Sequence, residues 1–413
     1  MSAAPQATGA LADDLAAVAR LGACAGGGIS RPAWSPELEE ATSWVAHKLE
    51  AVGLETHRDA AGNLLARWPA PGGRAVMAGS HLDTVPHGGA FDGALGVLAA
   101  VEAVRILRDE GFTPARPIMV ASFMDEEGTR FGTGLFGSRA FCGEDLEAAL
   151  ENRDADGLSV RDAMAHRGFD ASRLGDADRA SGVGDYVELH IEQGPVLESR
   201  GLRLGVVDAI CGIYGYRVVF GGEANHAGTT TMDARRDALA GAARVVLALR
   251  ERAAASGSDL RATVGMVRVL PGARNVIPGS CELSIDLRSG VAEVFDEAGA
   301  WLEELIARIG EAERLDTSLT CDYAIPPTAM SREVTEAIGH AARAEGVEPL
   351  RMVSGAGHDA MVLARRARAG MIFVPSRGGI SHAPREWTES ADCALGARVL
   401  AGTLRRLASQ VDG

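Results

Sequence analysis

No stretch of this 413-residue chain stays apolar for the ~18 residues that a membrane-spanning helix needs, so no span across a bilayer is expected. Basic residues are in short supply: 41 Lys and Arg against 56 Asp and Glu leave a formal charge of −15. That balance argues against nucleic acid or an anionic membrane surface as a partner. The six cysteines, at 24, 142, 211, 281, 321 and 393, are scattered without a CxxC pair. Reduced thiols in a cytoplasmic protein are the expectation that follows. Residues 1–16 carry two aspartates and no basic residue, unlike a secretory signal. There is no internal repeat, and no low-complexity tract beyond Ala-rich helical segments.

What is present is a globular composition, 46% apolar and 23% charged. The length exceeds one ordinary core, so two domains are expected. An amphipathic helix is predicted over 34–52, with Ser35-Pro36-Glu37 as its start. Strands are predicted at 63–68, 75–79, 117–123 and 186–192, with a helix at 93–109, an alternation that implies a largely parallel sheet covered by helices. Residues 143–180 read as short surface helices. From about 205 the pattern changes to strands at 216–220, 262–270 and 281–287, with long helices at 234–255 and 291–309. The α/β alternation then returns, with helices at 332–345, 358–367 and 388–407 and a strand at 371–374. A domain built from both ends of the chain, with a smaller α+β domain inserted, is the simplest architecture.

Four polar punctuations fall on the first of these domains. In Gly79-Ser80-His81-Leu82-Asp83 and Phe91-Asp92-Gly93, a histidine and two acids follow a buried strand, where open α/β sheets place their ligands. Asp83 is placed to hold the second nitrogen of His81, as a metal-bound imidazole needs. Taken alone, this motif fits an ordinary polar loop about as well. In Asp125-Glu126-Glu127-Gly128, three consecutive acids after a buried strand repel one another unless cations or protons relieve them. A metal pair provides that relief and leaves one glutamate as a base. Glu188, His190 and Glu192 share one face of a strand. In Gly379-Ile380-Ser381-His382-Ala383-Pro384, a Gly/Pro-framed turn presents a histidine. Three histidines and three carboxylates suit Zn²⁺, Mn²⁺, Co²⁺ or Ni²⁺, and no cysteine lies near enough to suggest a structural zinc site. The inserted segment adds His226 and Asn275, which can donate hydrogen bonds to a developing oxyanion, and Arg288, suited to a bidentate grip on a carboxylate.

The motifs GSHLDTVPHGGAFDG, DEEGTRFG, HIEQGP, ANHAGTT, ARNVIPG, GAGHDAM and GGISHAPRE occur in that order between about residues 30 and 405. In this they resemble the hydantoinase/carbamoylase branch of the dinuclear metallopeptidase-like amidohydrolases. The resemblance implies an α/β fold: a catalytic domain with a mixed, mostly parallel sheet flanked by helices (residues 1–208 and 325–413). An inserted α+β lid and dimerisation domain would occupy residues 209–324. It implies two divalent metal ions per subunit, one held by His81, Asp92 and His190, with Asp92 bridging to a second held by Glu127 and His382. Glu126 would be the general base, with Asp83 and His226 assisting catalysis. Gln193, His226, Asn275, Arg288 and Gly357 match positions that hold substrate. In related peptidases the position of His190 is generally a carboxylate, so the histidine points to the carbamoylase branch.

The implied activity is hydrolysis of the ureido C–N bond of N-carbamoyl-L-amino acids by a cytoplasmic homodimer. Allantoate or β-ureidopropionate hydrolysis on the same metals is the alternative. An aminoacylase or dipeptidase fits His190 less well, and a non-catalytic homologue would have lost the base or a ligand. The chain departs from the family pattern at His87, Thr231 and Ala383, which bears on substrate identity and not on the metal chemistry.

Overall fold

The computed structural model describes residues 7–257 and 259–409. Of the segment read above for a leader, 1–6 lie outside the described residues, as do 410–413 at the end of the segment assigned to the catalytic domain. The chain divides into two compact units. The first holds the residues up to Asp208, Met330–Met352 and those from Ala356 on; the second holds Ala209–Ala329 and Val353–Gly355.

Seven strands form the spine of the first unit: β1 (Glu55–Arg58), β2 (Leu64–Trp68), β3 (Ala75–His81), β4 (Ile118–Phe123), β5 (Val183–Ile191), β6 (Gly205–Ile210) and, late in the chain, β13 (Arg368–Val374). Their order is β1-β2-β4-β3-β5-β13-β6. The pairs β3/β4, β3/β5 and β5/β13 are parallel, whereas β1/β2, β2/β4 and β13/β6 are antiparallel. The sheet is thus mixed, parallel at its centre and antiparallel at its flanks.

The central strands β3 and β5 are buried along their whole length, as expected for parallel strands covered on both faces. The helix Ala94–Asp109 is buried through most of its turns and packs on the helix Ser390–Ala408. The helix Pro36–Ala51 begins as its sequence requires. The Ser35 side chain accepts from the Leu38 N–H, Pro36 opens the first turn, and Glu37 and Glu39 sit at the positive end of the dipole.

The second unit is a four-stranded antiparallel sheet in the order β10-β7-β9-β8. Its strands are β7 (Gly212–Gly221), β8 (Arg261–Leu270), β9 (Ser280–Ser289) and β10 (Asp316–Ile325). Cys281, Leu283, Ile285 and Leu287 alternate inward along β9 and join a core with the helices Ala238–Ala255 and Ala292–Glu313. The short strand β11 (Thr328–Ala329) pairs antiparallel with Ala209–Ile210, and β12 (Leu350–Ser354) pairs with β6.

Strand β10 was not among the expected strands. It is exposed along nearly all its length, so burial imposes no inward apolar alternation on its sequence. The short strands β1, β6 and β12 went unread for the same want of a long periodic pattern. The expected helix over 358–367 is shorter, Asp359–Leu363, and the long helix of the second unit starts at Ala238, capped by the Asp237 carboxylate.

Candidate metal centre

The carboxyl ends of β3, β4, β5 and β13 supply the side chains of one cluster, buried or half-buried except at His382. His81 is the last residue of β3 and His190 the penultimate residue of β5. Asp125 to Glu127 follow β4, and His382 lies in the loop after β13. Parallel pairing sets His81 beside Phe123, and His190 beside Phe373. Residues more than a hundred positions apart are thereby aligned at one edge.

Asp92 is the hinge of the arrangement. Its Oδ1 lies 3.4 Å from His81 Nε2 and 3.2 Å from His190 Nε2, while its Oδ2 lies 3.2 Å from His382 Nε2. His382 Nε2 is in turn 3.5 Å from Glu127 Oε2. Two groups therefore have ligand-forming atoms in close convergence, His81–Asp92–His190 and Asp92–Glu127–His382, and they share Asp92. A third group, Glu188–His190–His358, converges behind them. It competes for His190, whose Nδ1 is bound to the Ile191 carbonyl at 2.9 Å and whose Nε2 is turned to Asp92. One ring nitrogen cannot serve both groups.

Both buried histidines are oriented from behind by main-chain carbonyls. His81 Nδ1 donates to the Asp83 carbonyl at 3.0 Å, which leaves Nε2 for the cluster. Asp83 therefore holds the second nitrogen of His81, as expected, through its main-chain carbonyl and not through its carboxylate. That carboxylate stands 3.7 Å from His81 Nδ1 and accepts instead from the N–H groups of Glu126 (3.2 Å) and Glu127 (3.1 Å). Asp83 thus holds the imidazole with its backbone and the acid loop with its side chain. The three acids of that loop separate: Asp125 turns to the Thr133 hydroxyl, Glu126 Oε2 lies 3.7 Å from His81 Nε2, and Glu127 faces His382.

Backbone geometry is costly here. Asp125, Gln193 and His382 are non-glycine residues with φ near +55 to +57°, a left-handed conformation that persists only where the surroundings enforce it. Gly93 has φ +62°, and a β-carbon there would lie 2.4 Å from His81 Cε1. No other residue fits beneath that ring.

Electrostatics follow the geometry. Burial drives the Glu126 carboxyl well above the usual range; His81 opposes this, and Asp359, Glu127 and Asp83 reinforce it. Glu127 is pushed up to about 7, by burial and then by Asp92. Asp92 goes the other way: burial would raise it, but His190, His382 and His81 hold it well below its usual range. Burial would lower His81, yet Glu126, Asp92 and Asp83 hold it well above. His382 is pushed up to about 9, first by its hydrogen bond to Asp92. The cluster therefore demands positive charge where its imidazole and carboxylate atoms converge. That demand, and a donor set of imidazole nitrogen and carboxylate oxygen, fit a pair of divalent cations.

Of the other expected site residues, Gln193 joins this cluster, its Nε2 donating to Asp92 Oδ2 at 2.8 Å. Gly357 is half-buried immediately before His358. His226, Asn275 and Arg288 belong to the second unit. There the Ala227 N–H donates to the Asn275 carbonyl and the Ile277 N–H to the Asn225 carbonyl, so the loops of His226 and Asn275 lie side by side. His226 Nδ1 accepts from the Gly228 N–H at 3.0 Å, which leaves the ring proton on Nε2. Arg288 is already engaged within the chain: Asp286 takes its fork at 2.8 and 3.1 Å, and Gly355 takes a third N–H. Glu386, Ser381 and Glu188 were not singled out as site residues. The only signal for Glu386 was an acid four residues past His382.

A sheet that brings two histidine–carboxylate groups together on one shared aspartate has the architecture of a dinuclear-metal hydrolase. The chain belongs to peptidase family M20/M25/M40, whose model matches residues 77–406, and it is an amidohydrolase of that family. It is 42% identical over 387 residues to an N-carbamoyl-L-amino acid amidohydrolase of Geobacillus stearothermophilus, covering 92% of this chain and 94% of the relative. It is 38% identical over 394 residues to an allantoate amidohydrolase of Bacillus subtilis, covering 95% of each. A solved amidase of the hydantoinase/carbamoylase family from Burkholderia multivorans superposes with a TM-score of 0.92 at 34% identity, covering 98% of both chains.

Proposed function

We propose that this protein hydrolyses the ureido C–N bond of N-carbamoyl-L-amino acids, releasing the L-amino acid, CO₂ and ammonia. The observation that carries the proposal is the shared aspartate: Asp92 stands between His81 and His190 on one side and His382, with Glu127 beyond it, on the other. His81, Asp92 and His190 would hold one divalent cation, and Asp92, Glu127 and His382 a second, with Zn²⁺, Mn²⁺, Co²⁺ or Ni²⁺ as the fitting ions. Such a pair supplies Lewis-acid chemistry, polarising a carbonyl and making a water more acidic.

The chain's own groups do the rest. Glu126, whose burial raises its affinity for a proton, as a carboxylate takes a proton from the attacking water and returns it to the leaving amine. The Nε2–H of His226 donates to the carbamoyl oxygen as charge develops there. Asn275 and the Arg288 N–H groups that Asp286 and Gly355 leave open hold the substrate carboxylate. Gln193 and Gly357 line the same substrate. In this reading the first unit is the catalytic domain and the second the lid.

The second unit is also the dimerisation surface in this reading. Strand β8 is at the edge of its sheet and exposes Met266, Val267 and Leu270, while the neighbouring helix exposes Leu239, Val246 and Leu247. Six free cysteines suit a reducing compartment such as the cytoplasm. The allantoate amidohydrolase relative supports a second reading in which the same groups cleave allantoate. Assays of N-carbamoyl-L-amino acids, β-ureidopropionate, allantoate and N-acetyl amino acids with each of the four cations separate the two. Highest kcat/KM on an N-carbamoyl-L-amino acid is expected. Turnover of allantoate alone would replace this reading with the second.

A further inference from the structure

The loops that carry Asp92 and His382 are separated by nearly three hundred residues, yet one side chain fastens both. Glu386 is 4% exposed. Its Oε1 accepts from the N–H of Phe91 (2.9 Å) and of Asp92 (3.0 Å). Its Oε2 accepts from the Ser381 hydroxyl (2.9 Å) and from the His382 N–H (3.3 Å). One carboxylate thus receives four donors, two from each loop, on the residues that carry the side chains or immediately beside them. The carboxylate sits in space that a side chain at position 89 would fill, since a β-carbon on Gly89 would lie 2.1 Å from Glu386 Oε1.

His382 has special need of such an anchor. Its side chain is 48% exposed, against 1–2% for His81 and His190, and its backbone is held at φ +55°. The buried histidines are fixed by the strands that bear them and by carbonyls behind their rings. His382 stands on a loop, and Glu386 ties that loop to the backbone of Asp92. The Ser381 hydroxyl also lies 2.9 Å from Asp92 Oδ2, so its single proton is shared between the Glu386 and Asp92 carboxylates.

We propose that Glu386 is a positioning residue that fixes His382 and Asp92 relative to one another, and that it thereby sets the affinity of the cation held between them without touching it. The proposal rests on the reading of Asp92, Glu127 and His382 as ligands of one ion. Glutamine at 386 would preserve volume but offer one acceptor oxygen, leaving two of the four donors facing an NH₂ group. Loss of a group that orients metal ligands typically weakens binding about 10–100-fold.

The test is calorimetric titration of Mn²⁺ into metal-depleted wild type, Glu386→Gln, Ser381→Ala and His382→Ala, with metal content measured after dialysis. Wild type is expected to take two ions. Glu386→Gln should keep one at wild-type affinity and bind the other about 10–100-fold more weakly, and Ser381→Ala should weaken that same ion less. His382→Ala should lose that ion. If His382→Ala binds both ions as wild type does, the ligand reading itself fails. If His382→Ala behaves as expected while Glu386→Gln binds both ions normally, the positioning role is overturned. Equal weakening of both ions in Glu386→Gln would mark a general structural residue and overturn it too. Should Glu386→Gln not fold, Ser381→Ala decides: unchanged affinity for the second ion there overturns the proposal.

Discussion

Burial, and after it Asp359, Glu127 and Asp83, raise the proton affinity of Glu126 against the pull of His81, whose Nε2 lies 3.7 Å from Oε2. Glu126→Gln keeps its shape and removes its capacity to take a proton. We expect kcat to fall by about 10²–10⁴-fold while two Mn²⁺ ions stay bound, as read by steady-state rates and metal content. Retained metal with a near wild-type rate would remove Glu126 from the base role. At this scale the sequence was legible in residue type and partly in partnership. His81, Asp92, His190, Glu127 and His382 do converge, because their motifs lie at or just beyond the carboxyl ends of strands that the sheet sets side by side. The partners of the Asp83 carboxylate and of Arg288 were not legible. A carboxylate two residues from a histidine can reach the ring or the next loop equally well, and only the position of β4 decides that Asp83 accepts from Glu126 and Glu127.

Among elements, the buried strands announced themselves. Strand β3 opens on a continuous apolar run, Ala75 to Ala78, and β5 sets Tyr186, Val187, Leu189 and Ile191 among its few polar residues, because both faces are covered. Strand β10 did not, since an exposed strand has no inward set to betray it. Strand β8 is the opposite case. It was legible as a strand, yet it leaves Met266 at 43%, Val267 at 49% and Leu270 at 49% exposure on a sheet edge. Unpaired edges of this kind invite another strand unless charge or cover prevents it. For the proposed dimer, Val267→Lys is therefore expected to raise the dissociation constant at least about 100-fold, a loss on the scale of an interface hot spot, with the fold intact. Light scattering across a concentration series checks this. A wild-type protein that is monomeric at all concentrations would refute the dimer.

In the whole molecule, the first unit gathers Asp83, Asp92, Glu126, Glu127, Glu188, Asp359 and Glu386 in its interior, with burial acting to raise each of these carboxyls. Cations that bind the folded chain and not the unfolded one stabilise it, by about 2.7 kcal/mol per site at a hundredfold excess over Kd. Dialysis against a chelator is expected to lower the unfolding temperature by about 4 °C or more, and Mn²⁺ should restore it. An unchanged melting curve in scanning calorimetry would count against bound ions. Residue types and their order set the chemistry available: which side chains can bind a cation, take a proton or donate to an oxyanion, and the α/β periodicity that puts the motifs at strand ends. Which of them meet depends on how the strands pair. Parallel pairing of β3, β5 and β13 brings residues three hundred positions apart within about 3 Å at Asp92. No local pattern encodes Glu386 as the tie between two loops, because hydrogen bonds across such a separation depend on packing that exists only once the sheet has formed.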